Sequence, residues 1–329
     1  MIRRALLAAG AVLIPIVSLD VLTRRASRRL LEAPRTTPDE AGMGPALDAL
    51  GGQVVRIRAR DGLRLAARWI AAENRDPAWI PDPHEAILML HGWSGSIVPH
   101  LVEYGPYLRE TAGVLGIDFR GHGESDSSPT TFGLREVDDV AGALAWLGER
   151  GIERVALLGM SMGGITAIAA VAILGEGSLL STDVDSATPA HVEPPRRPRI
   201  VAVVADSVAP ELAAVAVPLI PGPWPRIVAN RMFDAVARTL GGDPRETEPI
   251  KVIGLLEGIP LLLISGDKDP IVPVADARRL AAAAPDGAEH WLVEGAGHRG
   301  SHAADPAGYE SRTTLHLRSA FLSSREPDL

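Results

Sequence analysis

The chain has 329 residues, 33 of them Lys or Arg against 41 Asp or Glu, leaving a net charge of −8. That balance excludes a nucleic-acid binder, which needs a basic face, and a 46% hydrophobic content excludes a disordered chain. With no cysteine, disulfides, thiol nucleophiles, iron–sulfur clusters and Cys-ligated zinc are all ruled out.

The first element in chain order is an apolar run. Arg3 and Arg4 precede it, residues 5–19 carry no charge, and Arg24, Arg25, Arg28 and Arg29 follow Asp20. A spanning helix needs about 20 apolar residues, so the run suffices only with Asp20 at the interface. Ser18-Leu19-Asp20 lacks the small-residue pattern of a cleavage site, which favours an uncleaved anchor over a signal segment or an interfacial helix. The arginine excess after the run favours a cytoplasmic location for the domain that follows it. The expectation is a membrane anchor or signal segment over 1–23, with the membrane as partner and the cell membrane as location. A cleaved segment would instead give a secreted protein. Residues 24–52, rich in Pro, Thr, Gly and Ala from 31 onward, are expected to form a linker without which the domain still folds.

From residue 53 strand-like and helix-like patterns alternate. Residues 53–59 and 63–70 alternate polar and apolar around Asp61-Gly62, a hairpin signal. Short apolar runs recur at 86–91, 113–118, 154–159, 200–206, 260–265 and 289–294. Such near-continuous runs mean strands buried on both faces. Helical patterns lie between them, as at 134–150 and 165–174. The prediction is an α/β chain with a doubly wound, mostly parallel eight-stranded sheet over 53–329. Residues 175–198 lack periodicity and read as a surface loop.

The chemistry gathers at the carboxyl ends of these strands. Gly159-Met160-Ser161-Met162-Gly163 is a G-x-S-x-G pattern between a strand and a helix. Glycine on both sides permits the cramped turn that lifts a serine hydroxyl above a sheet. A serine needs a base, and the base needs a carboxylate. His84, His100, His191 and His316 read as solvated, His91 and His122 precede the serine, and His290 lies within a strand. His298, in the loop Gly295-Ala296-Gly297-His298-Arg299-Gly300, is the first choice for the base, with His302 second. For the acid, Asp269 in Gly266-Asp267-Lys268-Asp269-Pro270 comes first, with Asp267 and Asp206 as alternatives. Developing negative charge on a carbonyl needs backbone donors. Trp93, in His91-Gly92-Trp93-Ser94-Gly95, and Met162 are the candidates for that oxyanion hole.

Together H-G-W-S-G-S, D-F-R-G-H-G-E-S-D, G-M-S-M-G-G, G-D-K-D-P-I-V-P and G-A-G-H resemble the motifs of the α/β-hydrolase superfamily, over residues 54–322. Within it the chain is most similar to bacterial hydrolases with an N-terminal membrane segment and a T-P-x-x-x-G lead-in, here Thr37 to Gly42. The resemblance implies a catalytic triad of Ser161, Asp269 and His298 and hydrolysis of an ester-like bond through an acyl-enzyme. It gives Arg120, Gly121 and His122 a structural role only. Residues 207–250 lie where these hydrolases carry a cap, and Leu219, Ile220, Trp224, Ile227, Met232 and Phe233 are candidates for an apolar acyl pocket or for simple core packing. Neither phosphate loops nor metal-ligand spacing is present, so no cofactor is expected. The leading function is carboxylic-ester hydrolysis of a small-molecule ester. The alternatives are a thioesterase or peptidase/amidase on the same residues, and a non-catalytic, membrane-tethered interaction protein.

Overall fold

Every strand-like run from residue 53 onward becomes a strand, with ends within one residue of those predicted. The computed structural model describes residues 23, 26–37, 42–93, 95–175, 197–217, 220 and 225–325. The strands are β1 (Gln53–Arg58), β2 (Arg64–Ile70), β3 (Glu85–Leu90), β4 (Gly113–Ile117), β5 (Arg154–Met160), β6 (Arg199–Asp206), β7 (Leu261–Gly266) and β8 (Glu289–Val293). They form one eight-stranded sheet in the order β1-β2-β4-β3-β5-β6-β7-β8. β2 runs antiparallel to β1 and β4, and all other pairs are parallel.

The period-2 geometry of a strand divides its side chains between two apolar layers. From β3, Ala86, Leu88 and Leu90 enter one core, while Ile87 and Met89 enter the other. The first layer is covered by α2 (Glu136–Gly148) and α3 (Met162–Leu174), the second by α1 (Val98–Leu108) and the long α6 (Pro306–Arg325). Every residue of α3 from Met162 to Ala172 is buried, as expected of a helix that is apolar all round. The cap region 207–250 contributes a short helix, Leu212–Ala216, and α4 (Pro225–Leu240). A further helix, α5 (Val274–Ala282), follows β7. The fold is the α/β-hydrolase fold: an eight-stranded, mostly parallel sheet between helical layers.

The expected membrane anchor needs correction. Among the described residues no helix is long and apolar enough to cross a membrane. The run 5–19 lies outside the described residues, as does most of the polar stretch at 175–198. The transmembrane helix, membrane partner and membrane location expected from that run are therefore not supported.

Nor does the chain behind that run behave as a tether. Residues 26–31 are helical, and Leu30 and Leu31 are buried in the first apolar layer. Ser27 Oγ donates to Met232 O of α4 at 3.1 Å, Thr130 N–H to Leu31 O at 2.8 Å, and Arg35 Nη2 to Ser125 O at 2.7 Å. The composition of 24–52 hid these contacts because Leu30-Leu31 is too short a run to show periodicity. Leu30→Ala and Leu31→Ala are each expected to cost about 2–4 kcal/mol in denaturant unfolding, the range for emptying a packed leucine site. Leu315→Ala, at a position 72% exposed, should change stability by less than about 0.5 kcal/mol. Equal effects at all three sites would contradict the packing described.

Candidate active site

Ser161 stands at the junction of β5 and α3 with φ 53 and ψ −115. A non-glycine residue held there stores about 1–3 kcal/mol of strain, which the surroundings must over-determine. They do so at both ends: Ser161 N–H donates to Asp206 O at 2.7 Å, and Ile165 N–H donates to Ser161 O at 3.0 Å. The flanking glycines are sterically required. A Cβ on Gly159 would lie 2.3 Å from Gly163 O, and one on Gly163 would lie 2.1 Å from Leu90 O. This turn aims the serine side chain out past the carboxyl ends of the strands.

His298 comes to the serine from the loop after β8. Its Nε2 lies 2.9 Å from Ser161 Oγ, and its Nδ1 lies 2.8 Å from Asp269 Oδ2. The Asp269 side chain is 1% exposed, and its other oxygen accepts N–H bonds from Ile271 at 2.8 Å and Val272 at 2.9 Å. A carboxylate has no proton to give, so Nδ1 carries the hydrogen and Nε2 is left as the acceptor facing the serine. Three residues far apart in sequence thus form one hydrogen-bonded series.

The competing candidates lie elsewhere. His302 is paired through both ring nitrogens, with Glu103 at 2.9 Å and Glu310 at 3.2 Å. Asp267 accepts the Gly295 N–H at 2.7 Å and stays on the turn. Asp206 lies fully buried behind the serine and accepts from the Ser207 and Ser301 hydroxyls.

Met162 is buried as the first residue of α3, so its N–H belongs to the first turn, which has no intrahelical acceptor. Trp93 follows β3 and is half-buried; its indole Nε1 donates to Leu30 O at 3.1 Å. Sequence reading did not anticipate that the amino-terminal helix steadies this tryptophan. Gly163 touches the backbone of Leu90 and His91, so the loop carrying Trp93 and the start of α3 adjoin each other.

The histidines read as solvated divide. His84 is exposed and bonded to Gly151 O, and His191 lies outside the described residues. His100 is instead half-buried on α1, and His316 is buried on α6. Burial, aided by the nearby Arg299 charge, pushes the His100 imidazole down to about 4. His91 is also held well below the usual histidine range by burial. Its Nε2 accepts Phe119 N–H at 3.0 Å and its Nδ1 donates to Gly92 O at 2.7 Å, tying the loops after β3 and β4. Arg120 is buried on Asp139 and Asp61. Burial raises Asp139 to about 7 against the pull of that arginine.

Of the residues considered for an acyl pocket, Phe233 is buried with its ring edge-on to Phe132 at 6.2 Å. Met232 is buried too, Ile220 is half-buried against the first apolar layer, and Ile227 is 57% exposed. Leu219 and Trp224 lie outside the described residues. Among the described residues no cluster of three or more His, Asp or Glu side chains is arranged to hold a metal ion.

A doubly wound sheet with serine, histidine and aspartate joined at its strand ends is the architecture of an α/β hydrolase. The comparison with known families agrees: residues 87–312 match the Alpha/beta hydrolase family, and the chain belongs to it. It is 27% identical over 254 residues to the uncharacterized protein YfhR of Escherichia coli O157:H7, covering 76% of this chain and 73% of that one. Among solved structures it is similar to the Pyrococcus furiosus esterase Pf2001, with a TM-score of 0.58 and 20% identity over 89% of this chain and 98% of that one. It is also similar to a Mycobacterium tuberculosis puromycin-hydrolyzing peptidase, with a TM-score of 0.57 and 19% identity over 82% of this chain and 39% of that one. Identities this low carry the fold and not the substrate.

Proposed function

We propose that the protein hydrolyses carboxylic esters through an acyl-enzyme on Ser161, with His298 as general base and acid and Asp269 as its orienting carboxylate. The observation that carries this reading is the unbroken series Ser161 Oγ–His298 Nε2 and His298 Nδ1–Asp269 Oδ2, at 2.9 and 2.8 Å. Ser161 Oγ attacks the ester carbonyl while its proton passes to His298 Nε2. The backbone N–H groups of Trp93 and Met162 receive the oxyanion. His298 then protonates the departing alkoxide, and a water activated by the same nitrogen releases the acid. Asp269 stabilises the imidazolium in both halves.

The apolar surroundings bear on the acyl side of the substrate. Trp93 and Ile220 pack on the same apolar layer as Leu30 and Met162, which suits an apolar acyl chain. The test is a panel of p-nitrophenyl esters of increasing acyl length, acyl thioesters and aminoacyl anilides. Ester turnover is expected to exceed anilide turnover by about a hundredfold in kcat/KM, since an alkoxide departs more readily than an amide nitrogen. Anilide cleavage without ester cleavage would replace this reading with a peptidase. Failure of a fluorophosphonate to label Ser161 would remove the catalytic reading altogether.

A further inference from the structure

The mechanism above uses Asp269 and leaves the other carboxylate of the site unemployed. Asp206 is completely buried at the end of β6. Its main-chain carbonyl accepts the Ser161 N–H at 2.7 Å. Its side-chain Oδ1 accepts two hydroxyls, Ser207 Oγ at 2.9 Å and Ser301 Oγ at 3.0 Å. Ser207 Oγ in turn accepts the N–H of Arg299 at 2.9 Å. The loop is therefore gripped one residue after His298, through Arg299, and three residues after it, through Ser301. Both grips converge on one carboxylate oxygen.

Two of the backbones involved are strained. Ser207 has φ 59 and Arg299 has φ 58, in the left-handed region that strains a non-glycine residue. Neither conformation is relaxed, so each needs a fixed partner, and the Ser207 hydroxyl joins the two. The groups facing Asp206 are His298 from the loop after β8, Tyr309 from α6 and, more distantly, Tyr104 and Tyr107 from α1.

From this geometry we infer that Asp206 is a positioning residue, which holds the serine turn and the His298 loop in register through a single side chain and its own carbonyl. It touches no reacting atom. The inference rests on the assignment of Ser161 and His298 to catalysis, and it adds a second carboxylate that acts through the backbone where Asp269 acts on the ring. Burial raises the Asp206 carboxyl to about 6, so its negative charge is held at a cost to the native state. A carboxyl raised on folding makes the native state lose stability as pH rises from its unfolded value toward 6. Asp206→Asn should accordingly leave the full-length protein at least as stable at pH 7. A function must then explain a charge kept there.

The test follows the labelling of Ser161 by a fluorophosphonate, which reads serine and histidine without needing the natural substrate. In Asp206→Ala, which loses both struts, the maximal labelling rate is expected to fall about thirtyfold or more with little change in the half-saturating concentration, as for other small misplacements of reacting groups. Asp206→Asn keeps an acceptor at Oδ1 and should recover most of that rate. It should also move the acidic limb of the labelling rate to lower pH, because the imidazolium loses a nearby negative charge. A purely structural residue would not shift that limb. Ser207→Ala and Ser301→Ala each remove one strut and should each slow labelling about fivefold, which keeps the question answerable if the alanine at 206 prevents folding. Folded Asp206 variants with the wild-type rate and pH profile, or serine variants both at the wild-type rate, would overturn the inference. A rise in half-saturating concentration alone would also overturn it. Unlabelled wild type would instead count against the catalytic assignment itself.

Discussion

Ser161→Ala is expected to lower kcat for ester hydrolysis by about a thousandfold or more while leaving the unfolding midpoint almost unchanged. In the proposed reaction this hydroxyl forms the covalent bond with the acyl group. His298 Nε2 is at 2.9 Å from that oxygen and bonds no other hydroxyl among the described residues. The alanine keeps the Cβ that the turn at φ 53 already tolerates and keeps the backbone bond to Asp206 O. Any stability change should stay within about 1 kcal/mol, since only one partly exposed hydroxyl is removed. Turnover and fluorophosphonate labelling, each measured on folded variant, check the expectation. A variant with a wild-type rate would mean that Ser161 is not the nucleophile.

The second large effect is expected at Asp269→Asn, and the hydrogen bonds around that side chain determine why. Asp269 Oδ1 accepts two backbone N–H groups, from Ile271 and Val272, so an asparagine must keep its carbonyl oxygen on that side. Its amide nitrogen then faces His298 Nδ1 and donates to it. The imidazole responds by carrying its proton on Nε2, the atom that should receive the proton of Ser161. The ring keeps its position and loses its function. A fall in kcat of about 10³–10⁴-fold is expected, the size seen where this tautomer is inverted in a triad. Asp267→Asn, by contrast, disturbs a turn bond to Gly295 and an exposed pairing with Lys268, and should change kcat less than about threefold. Steady-state rates on one p-nitrophenyl ester compare the two directly. A loss at Asp267 equal to that at Asp269 would move the acid elsewhere.

The amino-terminal region is where composition misled. A stretch rich in Pro, Thr and Gly reads as a tether, yet Leu30 and Leu31 fill the layer beneath α4, and Leu30 O holds the indole of Trp93. Two adjacent leucines carry no periodic signal, and the layer that buries them is assembled from strands and helices throughout the chain. His316 failed for a related reason. A histidine on a helix is solvated or buried according to which side faces the sheet, and the mixed polar pattern of α6 did not reveal that side.

What the sequence determined by itself was the local chemistry. Continuous apolar runs specified strands buried on both faces, and their ends were legible to a residue because charged, Gly and Pro positions interrupt them. The glycine pair around Ser161 specified the turn, since only glycine survives contacts near 2.1–2.3 Å from a would-be Cβ. Chain order and position after a strand singled out Ser161, Asp269 and His298. The tertiary structure decided which groups share a neighbour. Asp206, weighed in the sequence only as a rival acid, is separated from Ser301 by 95 residues, yet one of its oxygens holds the loop that carries His298. Hydrogen bonds of that kind have no sequence period, because they form where strand ends and loops converge, and the sheet alone brings those ends together.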